Sequence, residues 1–138
     1  MMRIAFGTDE ETDVTAKMLS HLAASGHEVV VVARGEAWPE VGRAVGVAVA
    51  DGDAERGVVC CYTGTGVSIA ANKVAGARAA LCTDSETAAG ARRWNDANVL
   101  AIGLRLATDV VALEMIDAFL ATEVDDGELS AISRLDED

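Results

Sequence analysis

The sequence lacks the features that mark disordered or multidomain proteins. It has a single proline, and it contains no internal repeat, low-complexity segment or linker. Apolar residues make up 51% of its 138 residues, which is enough to build one hydrophobic core. We therefore expect one folded domain spanning residues 1–138.

Long hydrophobic runs are also missing. No apolar stretch approaches the roughly 20 residues needed to span a bilayer. The first residues contain no basic region followed by a long apolar core, so they do not predict a secretory signal. These absences predict no membrane association and a cytoplasmic location.

Basic residues are scarce. Eleven lysines and arginines face 23 acidic residues, which gives a formal net charge of −12. Phosphate backbones and anionic lipids would repel such a chain, which argues against binding to nucleic acid or to a membrane surface. A small anionic substrate would require a local group of basic side chains.

Histidine and cysteine are too few for most metal sites or disulfide frameworks. Only His21 and His27 are present, so a site with several histidines is excluded and we predict no metal. The glycine patterns of dinucleotide and nucleotide-triphosphate sites are absent, and we predict no cofactor. The three cysteines lack disulfide spacing and are expected to be thiols in a reducing compartment.

The sequence does contain a regular alternation of strand and helix patterns. Strands are predicted at residues 3–7, 27–33, 57–61, 77–82 and 98–103, and the β-branched run of the second predicts a strand covered on both faces. Helices are predicted after Thr12 or Asp13, at residues 39–49 and 67–73, from Thr83 or Asp84 to about Arg93, and after Thr108. This order predicts a three-layer α/β/α sandwich with a five-stranded, parallel, Rossmann-like sheet, with a further helical turn in the tail.

Polar and glycine-rich residues follow the predicted strands, at the edge where parallel sheets bind ligands. The third strand ends in Cys60 and Cys61, whose side chains must point to opposite faces. Cys60 and Cys82 are interpreted as small buried residues. Cys61 leads into a helix start, where the helix dipole and free N–H groups would favour a thiolate.

Residues 62–68, here called the glycine turn, would present backbone N–H groups to an anion. Such a turn could hold a phosphate or stabilise an enediolate oxyanion. A cysteine-dependent phosphatase would need an arginine after five loop residues, and that position is Val67. Phosphatase chemistry is therefore disfavoured.

Residues 57–84 and 91–105 resemble the type B ribose-5-phosphate isomerases and the related galactose-6-phosphate isomerase subunits. The segments "GTDE" at residues 7–10 and "WPE" at 38–40 fit the same pattern, so the resemblance extends from residue 3 to about 121. It implies a cofactor-independent aldose–ketose isomerase that acts through an enediolate. It also implies a homodimer or a dimer of dimers with active sites shared between subunits. The tail 122–138 would then pack on a partner subunit.

The resemblance implies roles for particular residues. Cys61 corresponds to the base used in one branch of the family, Asp9 to an aspartate that contacts sugar hydroxyls, and Thr63 to the threonine beside the base. Asn95 corresponds to an asparagine supplied by the neighbouring subunit and Arg105 to a phosphate-binding arginine, while the N–H groups of residues 63–68 would stabilise the enediolate. The implied substrate-binding set is Glu10, Tyr62, Gly64, Thr65, Gly66, Val67, Ser68, Trp94, Asn95, Arg105 and Arg134.

Several residues depart from the family pattern. Glu10 and Trp94 replace histidines, the second of which is linked to opening the sugar ring, and Tyr62 replaces a glycine. Arg134 is the only basic residue in a tail that carries several phosphate-binding residues in the family. These changes predict a sugar or sugar-phosphate substrate that opens easily or has no ring. The alternative is a non-catalytic sugar-binding or partner subunit of a heteromeric isomerase.

Overall fold

Five strands alternate with helices along the chain, as the sequence predicts. The structure is a computed structural model that describes residues 1–136. Its strands are β1 (Arg3–Thr8), β2 (Glu28–Arg34), β3 (Arg56–Cys61), β4 (Ala79–Leu81) and β5 (Val99–Gly103). Its helices are α1 (Asp13–Ala24), α2 (Trp38–Ala50), α3 (Thr65–Asn72), α4 (Ser85–Asn95), α5 (Asp109–Ala121) and α6 (Leu129–Ser133), the last between short turns at Asp126–Glu128 and Arg134–Asp136.

The strands form one parallel sheet in the order β2-β1-β3-β5-β4. One face is covered by α1, α4 and α5, whose buried residues include Met18, Ala91 and Phe119. The other face is covered by α2 and α3, through residues such as Val45 and Val67. The predicted three-layer sandwich is confirmed. Among the described residues, no helix has the length and apolar character to cross a membrane.

The prediction that β2 is covered on both faces is wrong. This strand pairs only with β1 and forms one edge of the sheet. Val30 and Val31 are 39% and 36% exposed. The β-branched run reflects the fit of such side chains to a pleated strand, and it does not report how many neighbours the strand has.

Three helices begin directly after a predicted capping residue. The side chains of Thr12, Asp84 and Thr108 each accept a hydrogen bond from a first-turn backbone N–H. By contrast, α3 begins at Thr65, two residues before its predicted start. The helix α4 continues to Asn95, so Trp94 and Asn95 lie in its last turn.

The chain order changes direction between β1 and β3. From β1 the chain crosses to β2 on one side, and β3 lies on the other side. Ligand sites in open α/β sheets form at such a switch, beyond the carboxyl ends of the strands. Asp9 follows β1 at this point and donates its backbone N–H to the carbonyl of Cys60 at 3.3 Å. Asp9 therefore lies beside the end of β3.

Arg92 joins three elements of the fold near the end of α4. Its side chain is 1% exposed, and its guanidinium donates to Asp96 Oδ1 and the Ala97 carbonyl, both at 2.7 Å, and to the Thr122 carbonyl at 3.1 Å. The last turn of α4 is thereby tied to the segment entering β5 and to the end of α5. Burial of the Arg92 charge is tolerated because its Nε and Nη1 atoms both donate hydrogen bonds, one of them to the carboxylate of Asp96.

We expect Arg92→Met to lower the free energy of unfolding by about 2–4 kcal/mol, because Asp96 Oδ1 and two carbonyls lose the donor that Arg92 provides. Urea denaturation followed by circular dichroism measures the change. Arg93→Met is the matched control, since Arg93 is exposed one residue away, and should change stability by less than about 0.5 kcal/mol. Equal destabilisation by both variants would contradict the structural role of Arg92.

Candidate active site

The three cysteines have different surroundings. Cys60 and Cys61 point into opposite helical layers, which confirms the prediction from strand alternation. Cys60 is fully buried with its Sγ 3.7 Å from Met18 Sδ, and burial raises the pKa of its thiol. Burial also raises the pKa of Cys82 to about 11. Cys60 and Cys82 are thus held as neutral packing groups.

Cys61 lies beneath the start of α3. Its Sγ accepts a hydrogen bond from the backbone N–H of Gly64 at 3.2 Å, and the residue is 5% exposed. The expected proximity of the thiol to the backbone N–H groups of the glycine turn is therefore confirmed. The thiol therefore lies at the N-terminal end of α3, next to a backbone donor.

Two glycines hold the glycine turn against β5. Gly64 has a φ of +77°, and a Cβ there would lie 2.8 Å from the backbone nitrogen of Gly103. A Cβ on Gly103 would lie 2.5 Å from the carbonyl oxygen of Thr63. Both positions therefore require glycine. Gly103 was not among the predicted site residues; its only signal is a glycine at the end of a strand, which many turns share.

The first turn of α3 supplies the free backbone donors. Ser68 donates its N–H to the Gly64 carbonyl at 3.2 Å, and this is the first hydrogen bond of the helix. The N–H groups of Thr65, Gly66 and Val67 precede that bond and are available to a ligand. The predicted set of donors, residues 63–68, is corrected accordingly, because the N–H groups of Gly64 and Ser68 are already engaged.

Side chains around this turn divide into exposed polar groups and buried apolar groups. The hydroxyls of Thr63 and Thr65 are exposed and 2.7 Å apart. Val67 is fully buried against α2, so it can offer only its backbone N–H. The position at which a phosphatase would place its arginine therefore belongs to the core. Trp38 lies over Gly66, where a Cβ would approach its ring to 2.8 Å, a contact that the sequence did not predict.

Asp9 presents an unsatisfied acceptor next to Cys61. Its Oδ1 is buried and meets no hydrogen-bond partner within residues 1–136. Burial, together with the neighbouring charge of Glu10, raises the pKa of the Asp9 carboxyl group. The Thr8 hydroxyl fixes the turn by donating to the Glu10 carbonyl at 2.6 Å, and Glu10 itself is exposed. An unpaired buried carboxylate oxygen is suited to accept a hydrogen bond from a hydroxyl group of a ligand.

Tyr62 and Arg105 lie together at the ends of β3 and β5. The backbone N–H of Arg105 donates to the Tyr62 carbonyl at 2.7 Å, and its Nη1 donates to the Tyr62 hydroxyl at 3.3 Å. Both side chains are exposed. The structure thus brings Asp9, Cys61, Tyr62, Thr63 and Arg105 to one edge of the sheet.

The remaining predicted residues lie elsewhere in the chain. Trp94 and Asn95 are on α4, in the helical layer opposite to the one that contains the Cys61 side chain. The Trp94 ring packs on Gly90 and borders a groove of about 530 Å³ along the edge strand β4. Arg134 is exposed in the final turn. The buried side chains of α4 therefore lie on the other face of the sheet from the Cys61 thiol.

Both histidines are engaged in structural contacts. His21 Nε2 lies 2.6 Å from Asp117 Oδ1, between α1 and α5. His27 Nδ1 accepts the backbone N–H of Met2 at 3.1 Å, at the start of β2. Neither ring belongs to the edge that carries Cys61. Within residues 1–136, no three His, Cys, Asp or Glu side chains are grouped as metal ligands.

Comparisons with known proteins agree with this geometry. A sequence model of the Ribose/Galactose Isomerase family matches residues 4–137. The chain is 36% identical over 132 residues to ribose-5-phosphate isomerase B of Escherichia coli, covering 92% of this chain and 89% of that protein. It is 35% identical over 133 residues to D-erythrulose-4-phosphate isomerase of Pectobacterium atrosepticum, covering 92% and 88%. The structure of Clostridium thermocellum ribose-5-phosphate isomerase B superposes with a TM-score of 0.91 at 35% identity, covering 99% of this chain and 96% of that one.

The different settings of the three thiols predict selective alkylation. We expect iodoacetamide at pH 8 to modify Cys61 at least about tenfold faster than Cys60 or Cys82, whose burial suppresses the thiolate form. Peptide mass spectrometry of briefly treated, folded protein measures this selectivity. All three cysteines should react alike in urea. Modification of Cys82 as fast as Cys61 in the folded protein would contradict the assignment.

Proposed function

The chain belongs to the Ribose/Galactose Isomerase family, and we propose that it interconverts the aldose and ketose forms of a short sugar phosphate, with Cys61 as the base. The observation that carries this proposal is the position of the Cys61 sulfur, 3.2 Å from the Gly64 N–H at the start of α3. A base and a set of oxyanion donors thus share one turn, which is what proton transfer beside a carbonyl requires.

In the proposed reaction, the Cys61 thiolate removes the proton from the carbon next to the substrate carbonyl. The C–H electrons form a carbon–carbon double bond, and the carbonyl electrons move to oxygen to give an enediolate. The N–H groups of Thr65, Gly66 and Val67 stabilise that oxygen. The hydroxyl proton on the deprotonated carbon then passes to the enediolate oxygen, and the electrons of the O–H bond form the second carbonyl. The carbon–carbon double bond takes the proton of the Cys61 thiol at the former carbonyl carbon, which regenerates the thiolate.

Side chains around the base orient the substrate in this proposal. The unpaired Oδ1 of Asp9 accepts a hydrogen bond from a sugar hydroxyl, and the Thr63 hydroxyl lies beside the reacting carbons. Arg105 lies at this edge, at the end of β5, and binds the phosphate. Its guanidinium is available because its side-chain partner is the neutral hydroxyl of Tyr62.

We further propose that the site is completed by a second copy of the chain, in a homodimer or a dimer of dimers. Trp94 and Asn95 lie in the helical layer on the other face of the sheet from the Cys61 thiol. On a partner subunit they could border the site, and Arg134 of the tail could join them. This arrangement follows the family resemblance of Asn95.

The first test of this function is hydrogen exchange in deuterated water. We expect a mixture of aldose and ketose phosphates incubated with the protein to acquire deuterium at the carbon beside the carbonyl, as detected by proton NMR. Cys61→Ala should lower that exchange by at least about a hundredfold, because it removes the base. Cys60→Ala is the matched control and should cost stability while leaving exchange near the wild-type rate.

The same experiment separates the isomerase from a partner subunit without activity of its own. That alternative draws support from the family positions at which this chain lacks a histidine, Glu10 and Trp94. An inactive partner subunit would bind the sugar phosphate without any exchange. Exchange that persists in Cys61→Ala would instead show that another group is the base.

The placement of both histidines favours a substrate without a ring. Opening a sugar ring needs an acid and a base at the ring oxygen and the anomeric hydroxyl. His21 and His27 are engaged far from this edge, and Trp94 cannot transfer a proton. A tetrose 4-phosphate cannot form a stable ring, because its terminal oxygen is esterified. The relative from Pectobacterium is named for such a compound.

We therefore expect kcat/KM to be at least about tenfold higher for erythrose 4-phosphate than for ribose 5-phosphate, since no group catalyses ring opening. A coupled assay on both aldoses measures the ratio. Trp94→His should raise kcat/KM for ribose 5-phosphate alone. Equal use of both substrates by the wild-type protein would refute the preference for an acyclic substrate.

A further inference from the structure

Tyr62 and Arg105 are connected through both backbone and side chain. The pairing of Cys61 with Gly103 ends the β3–β5 ladder, and two more hydrogen bonds extend it, from Leu104 N–H to the Cys61 carbonyl at 2.9 Å and from Arg105 N–H to the Tyr62 carbonyl at 2.7 Å. The backbone positions of Tyr62 and Arg105 are therefore fixed relative to each other. Their side chains then meet, with Arg105 Nη1 3.3 Å from the Tyr62 hydroxyl oxygen.

This pairing leaves the charge of Arg105 uncompensated. Within residues 1–136, the guanidinium groups of Arg3, Arg34, Arg78 and Arg92 each contact a carboxylate, whereas Arg105 has no carboxylate oxygen within 4.0 Å. A phenol hydroxyl orients a guanidinium through a hydrogen bond without neutralising it. Arg43, Arg56, Arg93 and Arg134 also contact no carboxylate in the part of the chain that the structure describes, and Arg105 differs from them because its guanidinium donates to a side-chain hydroxyl.

Tyr62 and Arg105 lie close in the fold to Cys61, the proposed base. Tyr62 directly follows Cys61 in the chain, so the guanidinium that it contacts lies at the same strand end as the thiol. A free arginine side chain has many rotamers, and binding an anion with it costs the entropy of fixing them. A hydroxyl group that already fixes the guanidinium lowers that cost before the substrate arrives.

We infer that Tyr62 is a positioning residue whose hydroxyl holds Arg105 in place to bind the phosphate of the substrate. This inference rests on the proposed function, since it assigns the phosphate to Arg105. It gives a role to a tyrosine at a position where the resembling family has glycine. Tyr62 acts through Arg105 and does not take part in the proton transfer.

The kinetic test is Tyr62→Phe, which removes the hydroxyl and keeps the ring. We expect KM for erythrose 4-phosphate to rise roughly two- to tenfold, the range for loss of one hydrogen bond to a charged group at the surface, with kcat unchanged. Arg105→Lys should raise KM further, because an ammonium group does not reproduce the fork of the guanidinium. A fall in kcat at unchanged KM in Tyr62→Phe would overturn the inference.

A binding test does not depend on turnover. Inorganic phosphate is titrated into nitrogen-15-labelled protein, and the Nε–H signal of Arg105, assigned by its loss in Arg105→Lys, is followed by NMR. We expect phosphate to shift this signal in the wild-type protein and to bind roughly two- to tenfold more weakly in Tyr62→Phe. Arg43→Gln, which removes an exposed arginine on α2, is the control for loss of a positive charge elsewhere on the surface and should leave the titration unchanged.

The two tests separate failure of this inference from failure of the proposed function. An active wild-type protein with the same KM and the same phosphate affinity in Tyr62→Phe would overturn the inference alone. Absence of deuterium exchange in the wild-type protein would overturn the proposed function, and the phosphate titration would still decide the role of Tyr62. An Arg105 signal that phosphate does not shift would also overturn the inference.

Discussion

The candidate site depends on the close approach of the glycine turn to the end of β5. Gly64 adopts a left-handed backbone conformation, which costs other residues roughly 1–2 kcal/mol, and Gly103 leaves room for the Thr63 carbonyl. With this contact in place, the Gly64 N–H points at the Cys61 sulfur and α3 begins directly above it. One backbone contact therefore sets the positions of the proposed base and of the N–H groups that would stabilise an enediolate.

The same sheet that supports this turn also divides the predicted site. Cys61 faces the layer of α2 and α3, and Trp94 and Asn95 belong to the layer of α1, α4 and α5. The three-layer architecture thus places Trp94 and Asn95 on the other face of the sheet from the proposed base. If these residues contact the substrate from a second copy, as proposed, association of two copies would complete the site.

Most of the fold was predictable from sequence because strands, helices and capping residues carry local signals. Thr12, Asp84 and Thr108 cap helices as predicted, and alternation separated Cys60 from Cys61. The errors concern properties set by distant neighbours. The run in β2 gave no sign that the strand lies at an edge, and Gly103 gave no sign that it faces Thr63. Contacts between segments far apart in sequence decide both, so a single sequence carries little trace of them.

The departures from the family pattern affect two functions, the proton transfers that open a sugar ring and the binding of a charged phosphate. Glu10 and Trp94 remove two histidines, and the tail keeps Arg134 as its basic residue, so fewer groups can open a ring or bind a phosphate. A substrate without a ring makes the first loss tolerable. In the proposed function, the second loss leaves more of the phosphate binding to Arg105, for which a fixed guanidinium is more effective than a mobile one. Tyr62 would supply that fixation through its hydrogen bond to Arg105, at a position where glycine offers no hydroxyl.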